Sequence, residues 1–459
     1  MQTVTSRKTK IILFLIIIIL FSAVSLLAAN TAFMVTNNIY QGVSVGDIHV
    51  GGLSAAEAER KISTVFSERT KHNPFITAVY NEKKWVISAQ DIALTIEADK
   101  LAQQAYEVGR KGNIIHQLQE RYIAINKGHS LALTVQYNND KLYDIIAAIA
   151  KSIDRQPHNS RIKLIGTSTI EIVPEVTGRK VNIAGTLAEA TATLNTKLSF
   201  VLPVIVEEIV PPIVSQDLVH IDGIIASYTT QFDPKDYNRT QNVLLAAKSI
   251  NGTLLRTGDV FSFNTIVGLR LSKFGYKEAP VYINGMLVPD WGGGVCQVSS
   301  TLYNAILLAD LGIEERTSHF RPPAYVPLGQ DATVADNQLD FKFRNTLSQN
   351  IYITSEVIGN QLVVNVFGKR KENSPEIYIA VKDKKALEPR TFIKQDPELE
   401  LGKEIIEVEG QKGFIVSTYR IKKVDGKIVS QEFLGSDEFI PVDKIVRIGS
   451  KIPPEQPQK

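Results

Sequence analysis

Residues 11–29, IILFLIIIILFSAVSLLAA, contain no charged side chain. A run of this length matches the roughly 20 apolar residues that cross a bilayer core as a helix, and exceeds the ~7–15 of a signal-peptide core. Arg7, Lys8 and Lys10 precede it, and few basic residues follow before Arg60. The positive-inside bias then leaves residues 36–459 outside the membrane. The expectation is a cytoplasmic tail over 1–10, a single-pass transmembrane anchor over 11–35 in the cell membrane, and an extracytoplasmic remainder.

That setting gives meaning to the single cysteine of the chain, Cys296. Outside the cytoplasm cysteines tend to pair, and one alone forms no intramolecular bridge. It is an intermolecular link, an inert core residue or a reactive thiol. A net charge of +3, with basic and acidic residues interspersed, gives no reason to expect nucleic acid as a partner.

The length suits about three domains. Ser54-Ala55-Ala56-Glu57 reads as a capping box that starts a helix. FITAVYNEKKWVI then reads as two strands around a turn, and residues 98–120 as helical. The same order returns with a helix over 139–153, a hairpin in RIKLIGTSTIEIVPEVTGRKV and a helix over 186–198. This is a weak internal repeat of about 85 residues, giving an α+β domain over 45–212. Pro211-Pro212 ends it, and a Gly- and Asn-richer α+β domain follows over 216–370. Residues 372–450 alternate as short strands with turns at Asp425-Gly426 and Gly435-Ser436, an all-β module. The tail, 451–459, reads as disordered. The fold class expected is α+β multidomain behind a transmembrane helix.

Cys296 lies in WGGGVCQVSSTLYNA. From Gln297 onward, Val298, Leu302, Ala305, Ile306 and Ala309 recur at helical spacing, with Gly312 as the C-terminal stop. The cysteine therefore falls at a helix N-terminus, where unsatisfied N–H groups and the helix dipole lower a thiol pKa. Backbone donors near Gly293, Gly294 and Gln297 would stabilise an oxyanion. Of the histidines, His319 lies inside the cysteine's domain, beyond the linker-proximal His220, and Asp331 or Asp340 would orient it. Trp291, Tyr303 and Tyr325 are candidates to line a groove. With no second cysteine and no histidine pair at ligand spacing, neither a metal site nor a cofactor is expected.

Residues 238–355 resemble the VanW family. The matching text is GDVFSFNTIVG, GYKEAPVYINGMLVPDWGGGVCQVSSTLYNAIL, ERTSHFRPPAYVPLGQDATV and LDFKFRNTLSQNIYI. Phe320 departs from the smaller polar residue expected after the histidine. Residues 45–212 resemble the peptidoglycan-binding domain that often precedes VanW domains. Residues 372–450 resemble the five-glycine β module, with Gly402, Gly410, Gly413, Gly426 and Gly449 in suitable places. The resemblance implies a cell-wall protein whose partners are peptidoglycan glycan strands and stem peptides. Some VanW-domain proteins are L,D-transpeptidases using the family's cysteine, which carries over to Cys296 as nucleophile. His319 as base and Asp331 as its partner rest on position and chemistry. The rival readings are a non-catalytic wall-binding or glycopeptide-resistance accessory protein, and a hydrolase with water as acceptor.

Overall fold

The computed structural model describes residues 7–33, 36–72, 75–166, 169–194, 197, 199–283, 286–370, 372 and 374–451. The chain divides into two compact units. Residues up to Pro157, with Thr177–Val210, form the first; His158–Val176 and the chain from Pro211 onward form the second.

Two expectations about the N-terminus need correction or fall away. The apolar run lies in the helix Arg7–Phe33, but among the described residues no helix is long and apolar enough to cross a membrane. The transmembrane helix, and the membrane contact and single-pass topology that followed from it, are therefore not supported. Most of the expected cytoplasmic tail, residues 1–6, and nearly all of the expected disordered tail, residues 452–459, lie outside the described residues.

The fold class is mixed α/β, with ten α-helices and many small sheets among the described residues. The α+β expectation placed neighbouring strands in hairpins, and those pairs form. What it did not anticipate is that strands far apart in sequence also pair in parallel: Val43–Val45 with His129–Leu131, and Phe200–Pro203 with Ile76–Tyr80.

In the first unit, Ser54 Oγ accepts from the Glu57 N–H at 3.3 Å, and Glu57 Oε2 accepts from the Ser54 N–H at 2.9 Å. This reciprocal cap starts the helix Ala55–His72. The helix expected over 98–120 is two helices, Ala98–Glu107 and Ile114–Lys127. Gly109 and Gly112, at φ 70 and 82, break it. Ile62, Ile76, Leu101, Leu142, Ile146 and Leu202 share one core. The hairpin Arg161–Ile165 and Thr169–Val173, read above as part of the repeat, belongs to the second unit. There Ile162 packs with Ile213, Leu218, Tyr352 and Phe367.

The second unit is built on a four-stranded antiparallel sheet ordered Gly223–Gln231, Gln361–Gly368, Ile351–Ile358, Thr253–Leu255. The helices Tyr237–Ile250 and Val295–Leu308 cover it. Val243, Ala246, Val298, Leu302, Ile306, Val364 and Val366 form the shared core. The hairpin Glu278–Ile283 and Met286–Trp291 feeds the chain into the glycine run. From Glu376 on, two three-stranded sheets form. One joins Glu376–Leu387, Gly413–Val424 and Lys427–Phe439. The other joins Thr391–Glu400, Lys444–Lys451 and Glu404–Val408. Asp425 and Gly426 make a turn, at φ 50 and 74. Gly435-Ser436 does not turn the chain. It sits inside a continuous strand, at a bulge where Thr418 opposes Gly435 but Tyr419 opposes Phe433.

Candidate active site

Cys296 is the second residue of the helix Val295–Leu308. The helix is capped by Gly294 at φ 104, a left-handed conformation that a side chain disfavours. At Gly293 an added Cβ would lie 2.7 Å from the carbonyl oxygen of Ala279. The glycines thus let the chain turn tightly against the incoming hairpin and present the thiol at the helix start. The helix ends at Leu308, and Asp310 at φ 62 takes the left-handed position that Gly312 was expected to hold. Gly312 instead begins the strand Gly312–Glu315.

That strand runs into the irregular segment carrying Arg316 and His319, which folds back over the cysteine helix. Ala332 is tied to the helix: its N–H donates to Ser300 Oγ at 2.9 Å, and its carbonyl accepts from Ser299 Oγ at 2.6 Å. Cys296 is half-buried as a residue, and its Sγ accepts from the Val334 N–H at 3.5 Å. The His319 imidazole lies close enough to the thiol for each to shift the other's pKa.

Behind the imidazole, Asp331 Oδ2 accepts from the His319 backbone N–H at 2.6 Å and lies 2.6 Å from Nδ1. Asp331 is fully buried. Its other oxygen accepts from Arg316 Nη2 at 3.1 Å, and its carbonyl from Arg316 Nε at 2.6 Å. The alternative partner, Asp340, is engaged elsewhere. It accepts from Ser262 Oγ at 2.6 Å and the Asn264 N–H at 2.9 Å, fastening the short helix Phe263–Val267.

The electrostatics favour a charge-separated pair. Burial raises the thiol pKa of Cys296, but the hydrogen bond and charge of His319, the Val334 N–H and Arg270 outweigh it and lower the pKa. Burial pushes His319 down, yet Asp331 and the cysteine override this and raise it to about 9. Asp331 is itself held below the usual carboxylate value, because His319 and Arg316 overcome its burial. Both shifts point the same way, toward a thiolate facing an imidazolium.

The other expected residues divide. Tyr325 belongs to the site: its ring meets His319 edge-on at 6.5 Å. Burial and the cysteine's charge hold that phenol well above its ordinary pKa, so it stays protonated. Trp291, at the end of the feeding hairpin, is 40% exposed. Tyr303 is core, edge-on to Phe341 at 5.5 Å with the Arg316 guanidinium over its ring. Gln297 is wholly buried. Its side chain accepts from Arg239 at 2.6 Å and donates to Thr230 and Gln231, each at 2.9 Å. Its N–H donates to Gly294, so it has nothing left to offer a ligand. The N–H groups of Gly293, Gly294 and Cys296 donate to no backbone carbonyl among the described residues. Phe320 is 63% exposed and turned away from the core.

Arg316, Ser300, Val334 and Arg270 were missed in the sequence. Only Arg316, three residues before the histidine, lies where the sequence reading was already looking.

Three family models match the chain. One described as "VanW like protein" covers residues 238–367, "Putative peptidoglycan binding domain" covers 85–200, and "G5 domain" covers 379–451. The uncharacterized protein YoaR of Bacillus subtilis (strain 168) is 33% identical over 233 residues, 50% of this chain and 77% of that protein. The vancomycin B-type resistance protein VanW of Enterococcus faecalis (strain ATCC 700802 / V583) is 30% identical over 160 residues, 34% of this chain and 58% of that one. Among solved structures, the G5 domain of an IgA1 protease aligns at 26% identity over 18% of this chain and 100% of its own, with a TM-score of 0.14. The G5 domain of HP0197 aligns at 29% over 16% and 99%, with a TM-score of 0.12.

Proposed function

The chain belongs to the VanW family and is a cell-wall-associated protein with a peptidoglycan-binding domain, and on that footing we propose that it is a cysteine L,D-transpeptidase acting on stem peptides. The observation that carries this reading is the convergence of Cys296, His319 and Asp331 at one helix start. Such a constellation activates a thiol for acyl transfer.

The reaction runs in two halves. The Cys296 thiolate attacks the carbonyl carbon of the third residue of a tetrapeptide stem. The oxyanion is met by the free N–H groups of Gly293, Gly294 and Cys296. The C–N bond to the terminal D-alanine breaks, and the His319 imidazolium gives its proton to the leaving amine, producing a thioester and a neutral imidazole. The side-chain amine of a neighbouring stem then attacks the thioester. His319 takes its proton, the C–S bond breaks, and the thiolate–imidazolium pair is restored with a new cross-link formed.

The test is incubation with defined disaccharide-tetrapeptides, followed by mass analysis. Cross-linked dimer with equimolar D-alanine, abolished in Cys296→Ala, supports the reading. Released D-alanine without dimer identifies a hydrolase, and neither product leaves a wall-binding protein.

A further inference from the structure

The Arg316 guanidinium is 11% exposed and faces two acids. One is Asp331. The other is Asp437, on the strand Lys427–Phe439 of the C-terminal module, 121 residues away in sequence. Arg316 Nη1 donates to Asp437 Oδ1 at 2.6 Å. We propose that Asp437 is a positioning residue for the Cys296–His319 pair, acting through Arg316 and Asp331, so that the C-terminal module completes the site rather than only binding the wall. The proposal rests on Cys296 being the nucleophile.

Three observations carry it. The first is geometric. A planar guanidinium has fixed donor directions. With Nε and Nη2 on Asp331 and Nη1 on Asp437, its plane is pinned at both ends. Asp331 in turn fixes the ring of His319.

The second is charge. Asp331 and Arg316 alone would sum to zero behind the imidazole. Asp437 adds a second negative charge and leaves the buried trio at −1, which favours imidazolium. Other charged or titratable groups around the pair and the trio are Tyr325, Arg270 and Arg239, with Tyr303 and Arg420 beside Arg316 and the two acids.

The third is local fold. The bulge at Gly435 precedes Asp437, and bulges re-aim the side chains beside them. Strand residues 427–433 are exposed, whereas Asp437 is 7% exposed, with Oδ2 buried and unpartnered among the described residues. A buried carboxylate with one vacant oxygen costs stability, and the ion pair with Arg316 offsets that cost.

The module is held on by other contacts as well. Arg420 Nη1 donates to the Leu311 carbonyl at 2.8 Å, Lys422 pairs with Asp310 at 2.6 Å, and the Ile440 N–H donates to the Phe320 carbonyl at 2.9 Å. Asp437→Asn is therefore expected to fold and dock.

The experiment follows the His319 imidazole by NMR against pH, with the rate of iodoacetamide alkylation of Cys296, in the full chain. Asp437→Asn should lower the His319 midpoint by about 0.5–1 pH unit, as expected for losing a nearby opposite charge. Asp437→Glu, which keeps the charge, should recover most of the shift. Lys422→Met, which breaks a docking contact away from the relay, should leave the midpoint where it was. An unshifted midpoint in Asp437→Asn, an equal shift in Lys422→Met, or an Asp437→Asn chain that does not fold would each overturn the proposal. Alkylation by the wild type separates this from the parent reading. An ordinary thiol profile there defeats the nucleophile itself, whereas an acid-shifted profile unchanged in Asp437→Asn defeats only the relay.

Discussion

Asp331 Oδ2 contacts His319 twice, taking the backbone N–H at 2.6 Å and facing ring Nδ1 at the same distance. One carboxylate oxygen thus fixes both the main chain and the ring plane of the residue that meets the thiol. The second oxygen is committed to Arg316, so Asp331 has no freedom to follow a substrate. Its role is orientation and charge.

Asp331→Asn keeps the shape and removes the charge. The His319 pKa should fall from about 9 toward or below its ordinary value, because burial then acts unopposed by the carboxylate. Turnover on a tetrapeptide stem should drop by about 10²–10⁴-fold, the range for a lost acid–base function or a mis-set tautomer. Steady-state kinetics beside an imidazole titration would check both.

The pH dependence follows from the directions of two shifts. The Cys296 pKa is lowered and that of His319 is raised to about 9. The thiolate–imidazolium form should then persist from the depressed thiol pKa up to about 9. Iodoacetamide should react well below the ~8.5 of a free thiol, with a second change in rate near 9. In His319→Gln the change near 9 should disappear and the thiol inflection should move upward, since burial still opposes the thiolate. For folding, the raised His319 pKa adds stability that is complete below its ordinary 6.5 and lost as pH climbs through about 9.

Much of this site was legible in the sequence, and the reasons are local. The glycines, the helical spacing from Val298 to Ile306 and the one histidine of the domain beyond the linker-proximal His220 all lie within short reach of Cys296. Gln297 was misread because a polar residue at a helix start looks available. Its partners, Arg239 and Thr230, sit 58 and 67 residues away. Tyr303 was misread because an aromatic side chain on a helix carries no mark of which face it takes. Asp437 left no signal, since a strand bulge in another module decides its direction. The broken helix at Gly109 and Gly112 was readable in hindsight from the glycine pair. The parallel pairing of Phe200–Pro203 with Ile76–Tyr80 was not, because strand partners distant in sequence are chosen by tertiary packing.

Gly293→Ala tests whether the glycine run is steric in origin. The new Cβ would meet the Ala279 carbonyl oxygen at 2.7 Å, so the hairpin or the helix start must move. A loss of about 1–3 kcal/mol in unfolding free energy is expected, as for other overpacked positions. Urea titration followed by circular dichroism would measure it. A change within error would mean that the hairpin yields without cost.

The most direct test of the central claim is the intact mass of the protein quenched in acid during turnover on a disaccharide-tetrapeptide. The account predicts a covalent adduct of the stem less its terminal D-alanine, located on the peptide containing Cys296, cleared by added amine acceptor and absent from Cys296→Ala. A wild-type chain that turns over substrate without ever carrying that adduct, or carries it on another residue, would contradict it.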